Sequence, residues 1–300
     1  MEFDLTHCTF CPRQCGIDRT RQAGACGAKD TLRLARAALH EWEEPCLSGS
    51  RGSGTIFFSG CALRCCFCQN APLSHEFYGA DITPDRFGEI CFELKEQGAH
   101  NINLVSASHF ISLIKPVLQK IKPELGLPIV FNTGGYETVE TLRELDGIVD
   151  IYLPDFKFMD GSLSGKYCKA PDYPQVVKKA ILEMYRQVPS PMLNEHGIMQ
   201  KGLIIRHMVM PNAMHDSMAI LDWIAENFDL GTIFVSLMSQ YTPCYHSHLY
   251  PEINRRISTY EYQKVYEHLL SLGIKQGYAQ EKSSAKEEYI PPFDLTGVRK

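Results

Sequence analysis

No uninterrupted apolar run in this chain approaches the ~20 residues needed to cross a bilayer. The N-terminus, MEFDLTHCTF, lacks the basic stretch and apolar core of a secretory leader. Positive charge is also short. With a net charge of −5 and a pI near 6.1 there is no excess to hold a polyanion, so nucleic acid is disfavoured as a partner. A soluble, cytoplasmic protein with no membrane partner is expected. In that reducing compartment, twelve cysteines do not read as a disulfide framework; metal ligands plus ordinary buried thiols explain them better. Three hundred residues with 44% hydrophobic content suffice for one good-sized core and an appendage.

What is present is, first, an alternation of strand and helix patterns. Strands are predicted at 55–59, 101–106, 128–132, 149–155, 202–210 and 232–239. Helices are predicted at 84–97, 110–121, 139–145, 174–188 and 214–227, the last with an apolar spread through Ile220, Trp223, Ile224 and Phe228. A further helix at 260–272 and a short run at 277–280 follow. Six strand–helix units in series argue for a parallel sheet with right-handed crossovers. The near-continuous apolar runs GLIIRHMVM and TIFVSLM fit strands covered on both faces. Residues 31–40 suit a helix or a strand, and 41–54, with Pro45, Gly49, Gly52 and Gly54, read as a loop. Periodicity alone does not say whether the sheet is doubly wound or curled into a barrel.

Second, the cysteines fall into two sets. Thr55 to Asn70, TIFFSGCALRCCFCQN, carries Cys61, Cys65 and Cys68 as C-x3-C-x2-C, in a loop made polar by Arg64, Gln69 and Asn70. A cubane of iron and sulfide needs one thiolate per iron, so three closely spaced cysteines leave one iron open to a small molecule. Using Cys66 in place of Cys65 would give C-x4-C-x-C, which does not fit. Cys8, Cys11, Cys15 and Cys26 form a second set, with Pro12, Gly16, Gly24 and Gly27 around it. Four thiolates on a short, turn-rich segment can close a zinc site or ligate a second iron–sulfur cluster, and composition does not choose between them. The bland alternative is four unrelated thiols on a flexible arm.

The C-x3-C-x2-C loop after a first strand, with the aromatic Phe67 before its third cysteine, resembles the signature of the radical S-adenosylmethionine superfamily. Cys-Pro-Arg-x-Cys-Gly at 11–16, Asn-Thr-x-Gly-Tyr at 132–136 and Tyr-Leu-Pro-Asp-Phe-Lys at 152–157 extend the likeness to the pyruvate formate-lyase activating-enzyme related proteins. The resemblance implies an α/β fold, a partial (β/α)6 barrel of parallel strands with a small cysteine-rich N-terminal extension. The division it suggests is a metal-binding extension at 1–50, the barrel at 51–280 and a C-terminal tail at 281–300. It also implies a [4Fe-4S] cluster on Cys61, Cys65 and Cys68, with Phe67 beside the cofactor.

In parallel barrels the active site collects at the carboxyl ends of the strands. Beyond the second strand lie Ser106, Ser108 and His109. The family's Gly-Gly-Glu motif is missing there, so Ser106, Ser108 or His109 is the candidate for the amino group of S-adenosylmethionine, and Ser108 as a helix N-cap is the competing reading. Asn132, by resemblance, faces the cofactor. Asp155 and Lys157 stand at i and i+2 and share a face. Arg206 and His207 are adjacent in a strand, so only one can line the cavity. The resemblance selects Arg206 for the methionine carboxylate, leaving His207 packed beneath a helix. After the sixth strand there is no histidine in register, and Cys244-x-His246-x-His248 reads as a solvated turn.

The activity implied is reductive cleavage of S-adenosyl-L-methionine to a 5′-deoxyadenosyl radical that abstracts hydrogen from a substrate. Its partners would be a one-electron donor such as flavodoxin or ferredoxin and a glycyl-radical enzyme or other protein substrate. The competitors are radical modification of a small molecule or a non-glycyl residue and, from a different class, a non-catalytic metal-binding adaptor.

Overall fold

The computed structural model describes residues 3–280 and 291–299, so residues 281–290 of the expected C-terminal tail lie outside the described residues. After an irregular cysteine-bearing segment come β1 (Leu32–His40), α1 (Pro45–Ser48), β2 (Ser53–Phe58), α2 (Ala71–Ser74) and β3 (Ala80–Ile82). Alternation then takes over with α3 (Pro84–Glu96), β4 (Ile102–Val105), α4 (Ile111–Leu125), β5 (Ile129–Thr133), α5 (Val139–Arg143) and β6 (Ile151–Pro154). The remainder is α6 (Gly161–Cys168), α7 (Tyr173–Gln187), β7 (Met192–Leu193), β8 (Met199–Met208), α8 (Met214–Asn227), β9 (Phe234–Met238), α9 (Thr259–Ser271) and β10 (Gly277–Ala279).

The main sheet runs β10-β9-β8-β6-β5-β4-β2-β1-β3, and every pair from β10 to β2 is parallel. Helices connect successive parallel strands, as parallel pairing requires. Strands β2, β5 and β6 are buried at every residue, so their apolar runs are covered on both faces. Among the described residues the sheet does not close, because β10 and β3 are its two ends. It is nonetheless curled, since residues from or just beyond β2, β4, β5, β6, β8 and β9 line a single cavity. This is a partial (β/α)6 barrel with a cysteine-rich N-terminal extension.

Local chemistry explains most boundaries. Thr83 starts α3 by accepting from Arg86 N, with Pro84 in the first turn, and the helix buries Phe87, Ile90, Cys91 and Leu94. Each such apolar side chain, fully buried, contributes ~1.5–3 kcal/mol. A reciprocal capping box of Ser258 and Glu261 starts α9. Of residues 31–40, open to helix or strand on sequence, 32–40 form a strand because partners exist on both sides. They pair with β2, with β3 and with the C-terminal segment, through Ala37 N to Thr296 O (2.8 Å) and Leu295 N to Ala35 O (3.0 Å). Helix α6, GSLSGKYC with two glycines and two serines, carries no helical signature in the sequence. It is held at its start by the Asp160 carboxylate, which accepts from Ser162 N, and stops at Lys169 with φ 53. Among the described residues no helix is long and apolar enough to cross a membrane.

Candidate active site

Strand β2 delivers the chain to Gly60, where φ is 94 and a Cβ would lie 2.6 Å from Cys26 O, so only glycine fits. The three-cysteine loop that follows is tied down on all sides. Cys61 N donates to Cys26 O (3.1 Å), Arg64 N to Cys168 O (3.2 Å) and Cys66 N to Tyr167 O (2.8 Å). The Arg64 guanidinium reaches Ala25 O (2.7 Å) and Ser74 O (3.2 Å), and Arg13 donates to Ala62 O (2.9 Å) and Lys169 O (2.6 Å). These bonds fix which thiols face inward. Cys61, Cys65 and Cys68, with Phe67, line a cavity of about 250 Å³, whereas Cys66 does not line it.

Burial raises all three thiols, Cys68 to about 11; Cys61 is raised further by Cys65 and Cys68, and Cys68 by Cys65. For Cys65 the larger cause is a contact with the Cys168 thiol, ahead of burial. Three thiolates here would repel one another, and a cationic group between them removes that repulsion. Among the described residues no three Cys, His, Asp or Glu side chains converge tightly enough for a single metal ion. A cluster asks for less convergence, because each thiolate binds a different iron.

Opposite the thiols stands a polar wall built from strand ends. Arg206 on β8 donates from Nε to Asp155 Oδ1 (2.9 Å), from Nη2 to Asn132 Oδ1 (2.6 Å) and from Nη1 to Glu43 Oε2 (3.2 Å). Lys157 Nζ donates to Asp155 Oδ2 (2.7 Å). Glu43 Oε1 accepts from Asn103 Nδ2 (3.1 Å) and Asn132 Nδ2 (3.2 Å). The registers Phe57↔Val105, Val105↔Asn132 and Asn132↔Leu153 set these ends level, and an isolated bridge joins Asp155 to Arg206. Burial alone would raise the Asp155 carboxyl, but Arg206 and Lys157 outweigh it and hold it below its ordinary value. For Glu43 burial wins over Arg206 and its pKa is raised.

The structure therefore brings Phe67, Ser106, Asn132, Asp155, Lys157 and Arg206 together on one cavity with the three thiols. Ser106 sits there at φ 59, a conformation uncommon outside glycine. Ser108 does not cap a helix through its side chain; it donates to Glu137 Oε1 (2.6 Å). His109 is buried with Nε2 2.8 Å from Ser59 O. His207 lies under α8, between Phe156 O (2.7 Å) and Ser217 Oγ (2.8 Å). Cys244 donates to Phe67 O (3.1 Å), and His246 and His248 are exposed.

Three further residues join the site without a local motif to mark them. Glu43 sits in what read as a loop, and the only signal was a pair of adjacent acids, Glu43 and Glu44, before Pro45. Glu137 is buried with Oε2 unpartnered among the described residues, lining a void of about 20 Å³ beside Cys61, about the room for one water. Cys168 had no motif around it.

The four N-terminal thiols are also drawn together. A Cβ on Gly24 would lie 3.4 Å from Cys26 Sγ and 3.7 Å from Cys15 Sγ. Burial first, then Cys26, Cys8 and Cys15, push the Cys11 thiol up to about 12. The segment is docked rather than loose: buried Arg19 donates to His109 O (2.6 Å) and Lys29 O, and Thr141 Oγ1 donates to Phe10 O (2.6 Å).

Fold and site together define an α/β protein of the open parallel-barrel class, with a thiol-lined mouth and a charged wall across it. The chain belongs to the family of the uncharacterized protein MJ0674 of Methanocaldococcus jannaschii, to which it is 32% identical over 272 residues, 87% of this chain and 73% of that protein. No protein-family model matches it. Solved structures with some similarity include Streptococcus suis SuiB bound to precursor peptide SuiA, with 15% identity and a TM-score of 0.49 over 74% of this chain. The match covers 46% of SuiB, so the chain spans just under half of that protein's length. Others are methylornithine synthase (PylB), with 14% identity, a TM-score of 0.47 and 73% and 68% of the two chains covered, and a domain of pyruvate-formate lyase-activating enzyme from Bacteroides vulgatus, with 14% identity, a TM-score of 0.42 and 57% and 92% covered.

Proposed function

We propose that this protein is a radical S-adenosylmethionine enzyme of the glycyl-radical-activating kind. The observation that carries the reading is the sorting of four cysteines within one loop: Cys61, Cys65 and Cys68 face the cavity, and Cys66 does not. Cys61, Cys65 and Cys68 would hold a [4Fe-4S] cluster, which when bound and reduced would supply the electron for reductive cleavage of S-adenosylmethionine and so for hydrogen abstraction from a substrate. The chain's own residues bind and orient. Arg206 and Lys157 offer donors to a carboxylate, and Glu43 and Asp155 offer acceptors to an ammonium, so the wall suits the two ends of an amino acid. Phe67, edge-on to Phe158 and Tyr241 at 6.1 and 6.0 Å, closes one side against water.

The motif resemblance supports a protein glycyl residue as hydrogen donor and flavodoxin or ferredoxin as electron source. The N-terminal quartet is proposed as a separate metal centre. Zinc there requires the sulfurs to close in to Zn–S distances of ~2.3 Å, while a cluster tolerates a wider spread. The reading is tested by anaerobic reconstitution with iron and sulfide, reduction and an assay for 5′-deoxyadenosine. A fully iron-loaded, reduced protein that forms none would refute it.

A further inference from the structure

Beside Cys65, and outside the set of residues that line the cavity, lies a thiol that neither cysteine motif contains. It is Cys168, at the end of α6, only 1% exposed, with its Sγ 3.2 Å from Cys65 Sγ. The pairing is built into the backbone. Arg64 N donates to Cys168 O (3.2 Å) and Cys66 N to Tyr167 O (2.8 Å), so the chain on either side of Cys65 is laced to the end of α6. Arg13 holds the same corner, donating to Cys168 O (3.4 Å) and Lys169 O (2.6 Å). A second thiol of the triad has a donor of its own, for Ser74 Oγ lies 3.1 Å from Cys68 Sγ and Ser74 is buried.

We propose that Cys168 is a positioning residue that donates an S–H hydrogen bond to the Cys65 thiolate and so raises the reduction potential of the cluster bound there. This rests on the cluster reading above. Once Cys65 is a metal-bound thiolate it has no proton to give, so the direction of the bond is set: Cys168 donates and Cys65 accepts. A donor to a ligand sulfur favours whichever cluster state carries more negative charge, which is the reduced one. The step is a one-electron reduction by a low-potential donor. No proton moves and no bond is made or broken, since Cys168 keeps its hydrogen in both states. Ser74 acts on Cys68 in the same way, so the two donors share the task.

The test is a redox titration, followed by electron paramagnetic resonance, of the reconstituted full chain and its Cys168→Ala, Cys168→Ser and Ser74→Ala variants. Iron and sulfide are counted on every sample. Cys168→Ala is expected to keep its iron and make reduction about tenfold less favourable, a shift of ~59 mV to lower potential. Cys168→Ser, which restores an O–H donor, is expected to recover most of that shift, and Ser74→Ala to show a lowering of its own. An unchanged potential in Cys168→Ala overturns the proposal. So does iron loss in Cys168→Ala alone, which would make Cys168 a ligand. If the unaltered chain binds no iron at its triad, the radical reading itself fails, and that result is distinct from both.

Discussion

Replacing Arg206 by methionine removes a cation that touches three members of the polar wall. Its guanidinium bonds Asp155, Asn132 and Glu43, and the side chains of Arg206, Asp155 and Glu43 are only 16%, 21% and 9% exposed. Methionine fills a similar length, so the loss is one of charge pairing more than of volume. Breaking a buried pair by removing one partner costs ~3–5 kcal/mol, because the remaining charge is left uncompensated. The deficit should depend on pH. In the unaltered chain the Asp155 carboxyl is held below its ordinary value of 3.8, so its contribution is present above that value and is lost as pH falls through the lower folded value. In the variant, burial at Asp155 is opposed by Lys157 alone, and Glu43 keeps only its amide donors. Asp155 then rises above its unfolded value and Glu43, already above its own, rises further, so both bind protons that the unfolded chain does not. The deficit is largest near neutral pH and narrows as pH falls towards 4.5, the ordinary value for Glu43. Urea melts of the unaltered chain, Arg206→Met and the triple variant Arg206→Met/Glu43→Gln/Asp155→Asn, at pH 7.5 and 5, measure this. The triple variant should regain most of the loss at pH 7.5. A cost below about 1 kcal/mol for Arg206→Met, or no recovery in the triple variant, would show that the wall is not an electrostatic unit.

Alanine at Cys61, Cys65 or Cys68 should abolish S-adenosylmethionine cleavage while Cys66→Ala retains it; equal loss at Cys66 would mean that the ligands are misassigned. Changing Cys8, Cys11, Cys15 and Cys26 together to serine should remove metal that the Cys61/Cys65/Cys68 triple variant keeps, and metal analysis showing no difference from the unaltered protein would end the reading of that segment as a metal centre. His109 and His207 are both lowered from 6.5 to about 4 by burial, so the unfolded chain binds protons there that the folded chain does not. Their contribution is intact above pH 6.5 and is lost towards pH 4, to about 3 kcal/mol each. Stability measured against pH in His207→Gln should show a shallower acid limb, and an unchanged slope would place the acid sensitivity elsewhere.

The alternation of strands and helices was legible in the sequence because it is written by near neighbours. Ile220, Trp223, Ile224 and Phe228 repeat at helical spacing, and the near-continuous apolar runs of β8 and β9 speak for strands covered on both faces. The cysteine loop was legible for the same reason, since ligand spacing is local. So were Asp155 and Lys157, two residues apart at a strand end. Residues 31–40 were not, because their state depends on amide partners in β2, in β3 and near Thr296. Glu43 was not, because it reaches Arg206 across 163 positions of chain, and Cys168 was not, because it meets Cys65 across 103. No pattern in a short window encodes such meetings. They arise when the parallel sheet curls and sets strand ends, loop and α6 around one cavity, where burial decides which charges must pair and which thiols face each other.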